Sequence, residues 1–196
     1  MNRMARPGAW CLAVLLLAGC GSTPPSNYYL LSSPGNAPPD GMVPALGIGP
    51  VEIPEYLKRN GLVYRIGDNR LQISDSERWG EPLEEGVRRV LSLNLAGLLD
   101  TGNLSYYPFH SQRPPDYGVT VNVLNLDVDE QQAALVAEWL VYRPATGEPV
   151  GRRISQLQFA LPGAGLAPEG VAPAYSALLY QLSQLIAAVI SADLDS

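Results

Sequence analysis

Tyr117-Gly118-Val119-Thr120-Val121-Asn122-Val123-Leu124-Asn125-Leu126-Asp127-Val128 is the stretch that decides the fold. Val119, Val121 and Val123 share one face of an extended chain, and then the apolar set passes to Leu124, Leu126 and Val128. A phase change of one residue predicts a long strand with a bulge near Val123. The next segment, Ala133 to Tyr142, is apolar on both faces except at Glu138, which predicts a central strand. Pro144-Ala145-Thr146-Gly147 then turns the chain into Val150 to Leu161, where Leu157, Phe159 and Leu161 lie on one side. Three consecutive long strands make a sheet that needs cover on one face. Two helices supply it. Val171, Tyr175, Leu178, Leu179, Leu182, Leu185, Ile186, Val189 and Ile190 form a wide apolar stripe after the strands. Leu83, Val87, Val90, Leu91, Leu95 and Leu98 form another before them, with Arg88 and Arg89 outside. The expected fold is therefore α/β (α+β): a two-layer sandwich of a mainly antiparallel sheet packed against two long helices.

Upstream of the first helix the signals are shorter. Pro82 opens it where a missing N–H costs nothing, and Glu81, Glu84 and Glu85 sit at the positive end of its dipole. Asp100-Thr101-Gly102-Asn103 stops it. Leu62 to Ile66 and Arg70 to Ser74 flank Gly67-Asp68-Asn69, a hairpin pattern. Ala45 to Ile53 alternates until Pro50 interrupts it, as in an edge or kinked strand, and Pro54 to Leu57 reads as a turn. Tyr28-Tyr29-Leu30-Leu31 has the content of a first strand, and Pro34 to Pro44 that of a loop.

The amino terminus addresses the chain to a membrane surface. Arg3 and Arg6 precede an apolar run, Ala9 to Ala18, of about ten residues, half the roughly twenty that cross a bilayer. This is the form of an export signal. It ends in Leu17-Ala18-Gly19-Cys20, which resembles the bacterial lipobox, where the cysteine thiol takes lipid and the signal is cut just before it. The expected organisation is a signal peptide over residues 1–19, a lipidated tether over 20–26 and a single domain over 27–196. Cys11 leaves with the signal and Cys20 becomes a thioether, so no disulfide is available. Gly21 stands where aspartate would resemble an inner-membrane retention signal, which favours the outer membrane.

Composition excludes more than it assigns. Thirteen basic residues less Arg3 and Arg6, against 19 acidic ones, leave a processed net charge of about −8, which argues against nucleic acid and against a basic headgroup patch. With no free thiol and one histidine, His110, a zinc site of the usual kind is not expected. Lys58, the one lysine, follows Leu57 rather than standing in a phosphate-binding loop, and no nucleophile elbow is present. Asp127, Asp129 and Glu130 have the residue types of a calcium or acid–base site, but their place at a hairpin end predicts solvated carboxylates. Neither a catalytic group nor a cofactor is expected. Ile53, Pro54, Tyr56 and Leu57 form either a docking turn or a closure of the core. Trp79 is either a partner anchor or a cap packed back over the first helix.

Several stretches together resemble one family. They are Tyr28-Tyr29-Leu30-Leu31, Ile48-Gly49-Pro50-Val51-Glu52-Ile53-Pro54-Glu55-Tyr56-Leu57, Arg78-Trp79-Gly80-Glu81-Pro82-Leu83, Arg89-Val90-Leu91 with Asn94-Leu95, and Ser176-Ala177-Leu178 to Ile190. In order and spacing they resemble the ABC-type transport auxiliary lipoproteins, the PqiC-like family. The resemblance implies a fold similar to the amino-terminal domain of TolB. It also implies a non-catalytic part in intermembrane lipid transport, docking or receiving a periplasm-spanning MCE-domain protein and its inner-membrane partner. A cyclic conduit would favour a ring-shaped homo-oligomer. The alternative is a structural envelope lipoprotein that tethers without handling lipid. One departure is Lys58-Arg59-Asn60-Gly61, a polar turn where the family runs more directly into its next strand.

Overall fold

The computed structural model describes residues 25–34, 39–161 and 167–196. Cys20, the signal over residues 1–19 and tether residues 20–24 lie outside them. The elements run β1 (Asn27–Tyr29), β2 (Leu46–Glu52), a 3-10 turn (Glu55–Leu57), β3 (Gly61–Arg65), β4 (Leu71–Trp79) and α1 (Leu83–Leu98). They continue with β5 (Leu104–Tyr106), β6 (Tyr117–Val128), β7 (Gln132–Arg143), β8 (Glu148–Ala160) and α2 (Pro168–Leu194).

Two sheets form, where the sequence led us to expect one. The larger has the order β5-β2-β6-β7-β8 and the smaller β1-β4-β3. The long pairings, β6 with β7 and β7 with β8, are antiparallel as expected. The short ones are not: β1 runs parallel to β4, and β2 runs parallel to both β5 and β6. Parallel neighbours need a crossover, and α1 supplies it between β2 and β5.

β2 is an interior strand, not an edge one. Its kink is real, a register irregularity between Ile48 and Val51 that spans Pro50. Pro50 is tolerated because β5 pairs only with Leu46 to Ile48, so no ladder bond is asked of Pro50 on that side. The bulge in β6 falls between Val123 and Asn125. Its consequence differs from the expected one: Leu124 is the residue left over and turns outward, while Val123, Leu126 and Val128 stay buried. β7 is central, but only one of its faces is sealed. Ala133, Leu135, Ala137, Trp139 and Val141 are interior, and the alternate residues are half-covered.

Both helices cover the same face of the large sheet. α2 buries Val171, Tyr175, Leu178, Leu179, Leu182, Ile186 and Ile190, along with the small residues Ala174, Ser176 and Ser183. Small side chains let α2 approach its neighbours: Asn94 Nδ2 of α1 donates to Ser183 Oγ at 3.3 Å, and the Ser32 amide donates to Ser176 Oγ at 3.0 Å. α1 ends at Leu98, and Asp100 takes a left-handed φ of 48° just beyond it, a conformation that Asp adopts more readily than most residues.

Candidate partner and ligand surfaces

Residues 53 to 57 join β2 to the hairpin, and their side chains mostly point inward. Ile53 and Leu57 are core residues, Pro54 and Tyr56 are half-buried, and Glu55 is exposed. Tyr56 Oη donates to Asp127 Oδ1 at 3.0 Å and lies 3.2 Å from Asn125 Oδ1. Arg65 closes the arrangement, its Nε donating to Asp127 Oδ2 at 2.8 Å and its Nη1 to the Asp68 carbonyl at 2.6 Å. Asp127 is thus a buried, paired carboxylate rather than a solvated one. The turn clips the small sheet to the bulge of β6. Of the four residues singled out here from the sequence, only Pro54 and Tyr56 keep surface for a partner.

Trp79 is 7 % exposed and stacks on Tyr175 of α2, ring centroids 6.1 Å apart. It ends β4, opposite Tyr29 of β1, and its amide donates to the Asn60 carbonyl at 2.7 Å. Burial removes it as a partner anchor. It packs on α2, because β4 runs five residues further than the hairpin pattern suggested and carries the indole there.

Breaking the clip gives a defined loss. Tyr56→Phe keeps the ring but removes a hydrogen bond to a charged carboxylate, so stability should fall by about 1–2 kcal/mol. Denaturant unfolding checks this, with an unchanged slope showing that the fold is retained.

Glu77, in the irregular stretch of β4, accepts from Tyr29 Oη at 2.6 Å and from Asn27 Nδ2 at 3.1 Å. The Tyr29 hydroxyl above all, with Asn27 and Ser76, holds its carboxyl below the ordinary 4.5. A lowered folded-state pKa gives stability that is complete above the unfolded value and is lost as pH falls through the folded one. Unfolding midpoints followed downward from pH 5 should therefore fall less steeply in Glu77→Gln than in the native chain.

Two of the concavities bear on ligand binding. One is an apolar groove of about 660 Å³ between the segment after β1 and α1, with Leu30, Leu31, Leu93 and Leu98 in its walls. Leu30 and Leu93 are 57 % and 48 % exposed. Asn94 is fixed at its base by Ser33 and Ser183, and Arg89 by Glu81 and the Leu31 carbonyl. The other is a polar cleft of about 750 Å³ between the β3–β4 hairpin and the β6–β7 turn. His110 is exposed in a loop, where its Nδ1 accepts from the Gln112 amide. Asp129 caps its own turn, accepting from the amides of Gln131 and Gln132. Among the described residues, no three metal-ligating side chains converge.

Comparison with known proteins adds a lineage to this geometry. Residues 28–187 match the family model for the ABC-type transport auxiliary lipoprotein component. The chain is 30 % identical to the intermembrane transport lipoprotein PqiC of Escherichia coli K12 over 141 residues, covering 66 % of this chain and 71 % of that protein. Two crystal structures share the fold. A structure of an uncharacterized protein aligns with a TM-score of 0.68 at 22 % identity, covering 85 % of this chain and 99 % of that one. A Xanthomonas campestris protein aligns with a TM-score of 0.68 at 13 % identity, covering 87 % and 98 %.

Proposed function

The chain belongs to the ABC-type transport auxiliary lipoprotein family and is an auxiliary component of a transport system; from that premise we propose that it is a non-catalytic member of an intermembrane lipid transporter. In this reading residues 1–19 are removed, Cys20 is lipidated, and the domain from residue 27 faces the periplasm from the outer membrane. It docks or receives an MCE-domain protein that spans the periplasm from an inner-membrane partner. The observation that carries the reading is the family match across residues 28–187, joined to Leu17-Ala18-Gly19-Cys20.

The geometry fits such a role. Six residues, Gly21 to Ser26, separate Cys20 from the start of β1, a reach of about 20 Å at ~3.3 Å each. The folded body therefore rides on its own bilayer and meets a long partner there, rather than bridging the envelope itself. The chemistry expected of the domain is recognition, with Pro54 and Tyr56 on the clip as the contacts a partner could reach.

A photo-crosslinking amino acid at position 55, which is exposed in the middle of that turn, tests the docking claim in intact cells. Adducts with an MCE-domain protein are expected. Adducts confined to peptidoglycan-bound proteins would point instead to a structural tether.

A further inference from the structure

We propose that one end of the domain, the outer face of β1 and β4 with Tyr28, Leu30 and Ile73, seats in the interfacial layer of the bilayer that holds the lipid anchor. The seat presupposes a lipidated Cys20 and adds to that reading how the body lies against its membrane.

The chain alternates along β1 and just beyond it. Tyr29 and Leu31 turn inward, the first donating to Glu77 and the second joining the core. Tyr28 and Leu30 turn outward, 66 % and 57 % exposed. Tyr28 stands opposite Arg78 of β4, and Arg78 opposite Gly61 of β3, so the three share one face of the small sheet. Two glycines extend that face. Ile73 Cγ2 lies 3.0 Å from where a Gly61 Cβ would stand, and Leu30 Cδ2 lies 3.2 Å from where a Gly80 Cβ would stand. Ile73 is itself 50 % exposed. Three large apolar side chains are thus open to the outside where the chain leaves for Cys20.

Reach decides what covers them. Gly21 to Ser26 extend at most about 20 Å between Cys20 and β1. A second exposed apolar pair, Met42 and Val43, competes for the bilayer. That pair sits just past the end of α1, where the Gly102 amide donates to the Gly41 carbonyl and Asn103 Nδ2 to the Met42 carbonyl. β1 meets the start of α1 instead, through the Gly80 amide and the Tyr29 carbonyl. The 16 residues of α1 set these two ends about 24 Å apart at ~1.5 Å each. That exceeds the extended tether. Of the two ends, the one with Tyr28 rests on the bilayer while the tether holds.

The chemistry suits an interface. A tyrosine puts its ring in the acyl boundary and its hydroxyl among headgroups, and an arginine buries its stem while its charge stays at the phosphates. Arg78 Nε donates to the Asp75 carbonyl at 2.9 Å, and among the described residues Arg78 has no carboxylate partner. A single acyl chain anchors a protein only marginally, and three part-exposed side chains offer less. The seat therefore orients the body; the lipid holds it.

Nitroxide depth measurement tests this. The processed chain has no thiol besides the lipidated Cys20, so one introduced cysteine can carry the label. The full lipidated chain is placed in vesicles of phosphatidylethanolamine and phosphatidylglycerol. A label at Ile73→Cys is compared with one at Ala145→Cys, in the exposed β7–β8 turn whose strand is tied to the carboxyl end of α2 through Arg143 and Asp193. The Ile73→Cys label is expected to collide more with oxygen, which concentrates in lipid, and less with a nickel chelate, which stays in water. Tyr28→Ser combined with Leu30→Ser should abolish that difference without moving the unfolding midpoint, since both side chains are exposed. Tyr28→Trp, which keeps an interfacial ring, should preserve it. Equal collision profiles in a chain that floats with the vesicles overturn the seat and leave the anchor standing, as does a difference that the double serine variant retains. A label shielded from oxygen and chelate alike means that a second copy covers the face, which also overturns it. A chain that does not float overturns the seat together with the lipidation it starts from.

Discussion

Cys20→Ala is expected to move the protein wholly from the membrane fraction to the soluble envelope fraction and to abolish its part in transport, with the fold intact. Each buried methylene of an acyl chain contributes about 0.8 kcal/mol, so several chains on one cysteine hold permanently where a single chain is marginal. Among the described residues the buried set begins at Leu31, eleven positions after Cys20. The outcome is not trivial, because α2 is long and apolar enough to pass for a membrane span, with a mean hydropathy of 1.4 over its best window. Its main apolar stripe, Val171, Tyr175, Leu178, Leu179, Leu182, Ile186 and Ile190, is buried against the sheet and α1, so that face is taken up by the fold. Fractionation with circular dichroism on the released chain checks both halves. A Cys20→Ala protein that stays on the membrane would show that something other than the lipid anchors it.

Trp139→Ala should be the most damaging single change in the sheet, lowering stability by about 3–5 kcal/mol. Trp139 is 2 % exposed at the middle of β7, between two long antiparallel partners, and its Nε1 donates to Ser155 Oγ at 2.9 Å. Truncation leaves a cavity that neither β6 nor β8 can close without breaking its own ladder, and it strips Ser155 of its donor. A domain of this kind has about 5–15 kcal/mol in hand, so a large share of the total would go. Ile154 on β8 is the contrast: at 66 % exposure, its replacement by alanine should stay within about 0.5 kcal/mol. Urea midpoints of the two variants, measured side by side, decide it. Equal losses would mean that the helices do not seal the face assigned to them.

The long elements were legible because their periodicity is a local property. Val119 to Val128 carried its own bulge in its phase, and both helices showed their stripes. Residues whose fate depends on distant partners were not. β1 and β5 are three residues each, and their parallel pairing with β4 and β2 is set by the crossovers rather than by anything in Asn27–Tyr29 or Leu104–Tyr106. The phase change located the bulge but could not say which residue it expels, and Leu124 proved to be the one. Asp127 looks like hairpin-end solvation until Arg65, 62 positions earlier, is placed against it.

The candidate site follows the same division. A short apolar run such as Ile53 to Leu57 reads alike whether it closes a core or greets a partner, and only its burial separates the two. Trp79 could be recognised as a packing residue, but not as one stacked on Tyr175, 96 positions away. The hairpin pattern placed Tyr64 on a strand. That its hydroxyl would be buried with no partner among the described residues has no local signature, because it depends on what packs over the small sheet.

Mass spectrometry of the protein extracted from its own membranes tests the account most directly. The expected result is a polypeptide beginning at Cys20, lacking residues 1–19 and carrying acyl chains on that residue. A chain that retains residues 1–19, or one that starts at Cys20 with an unmodified thiol, would contradict it.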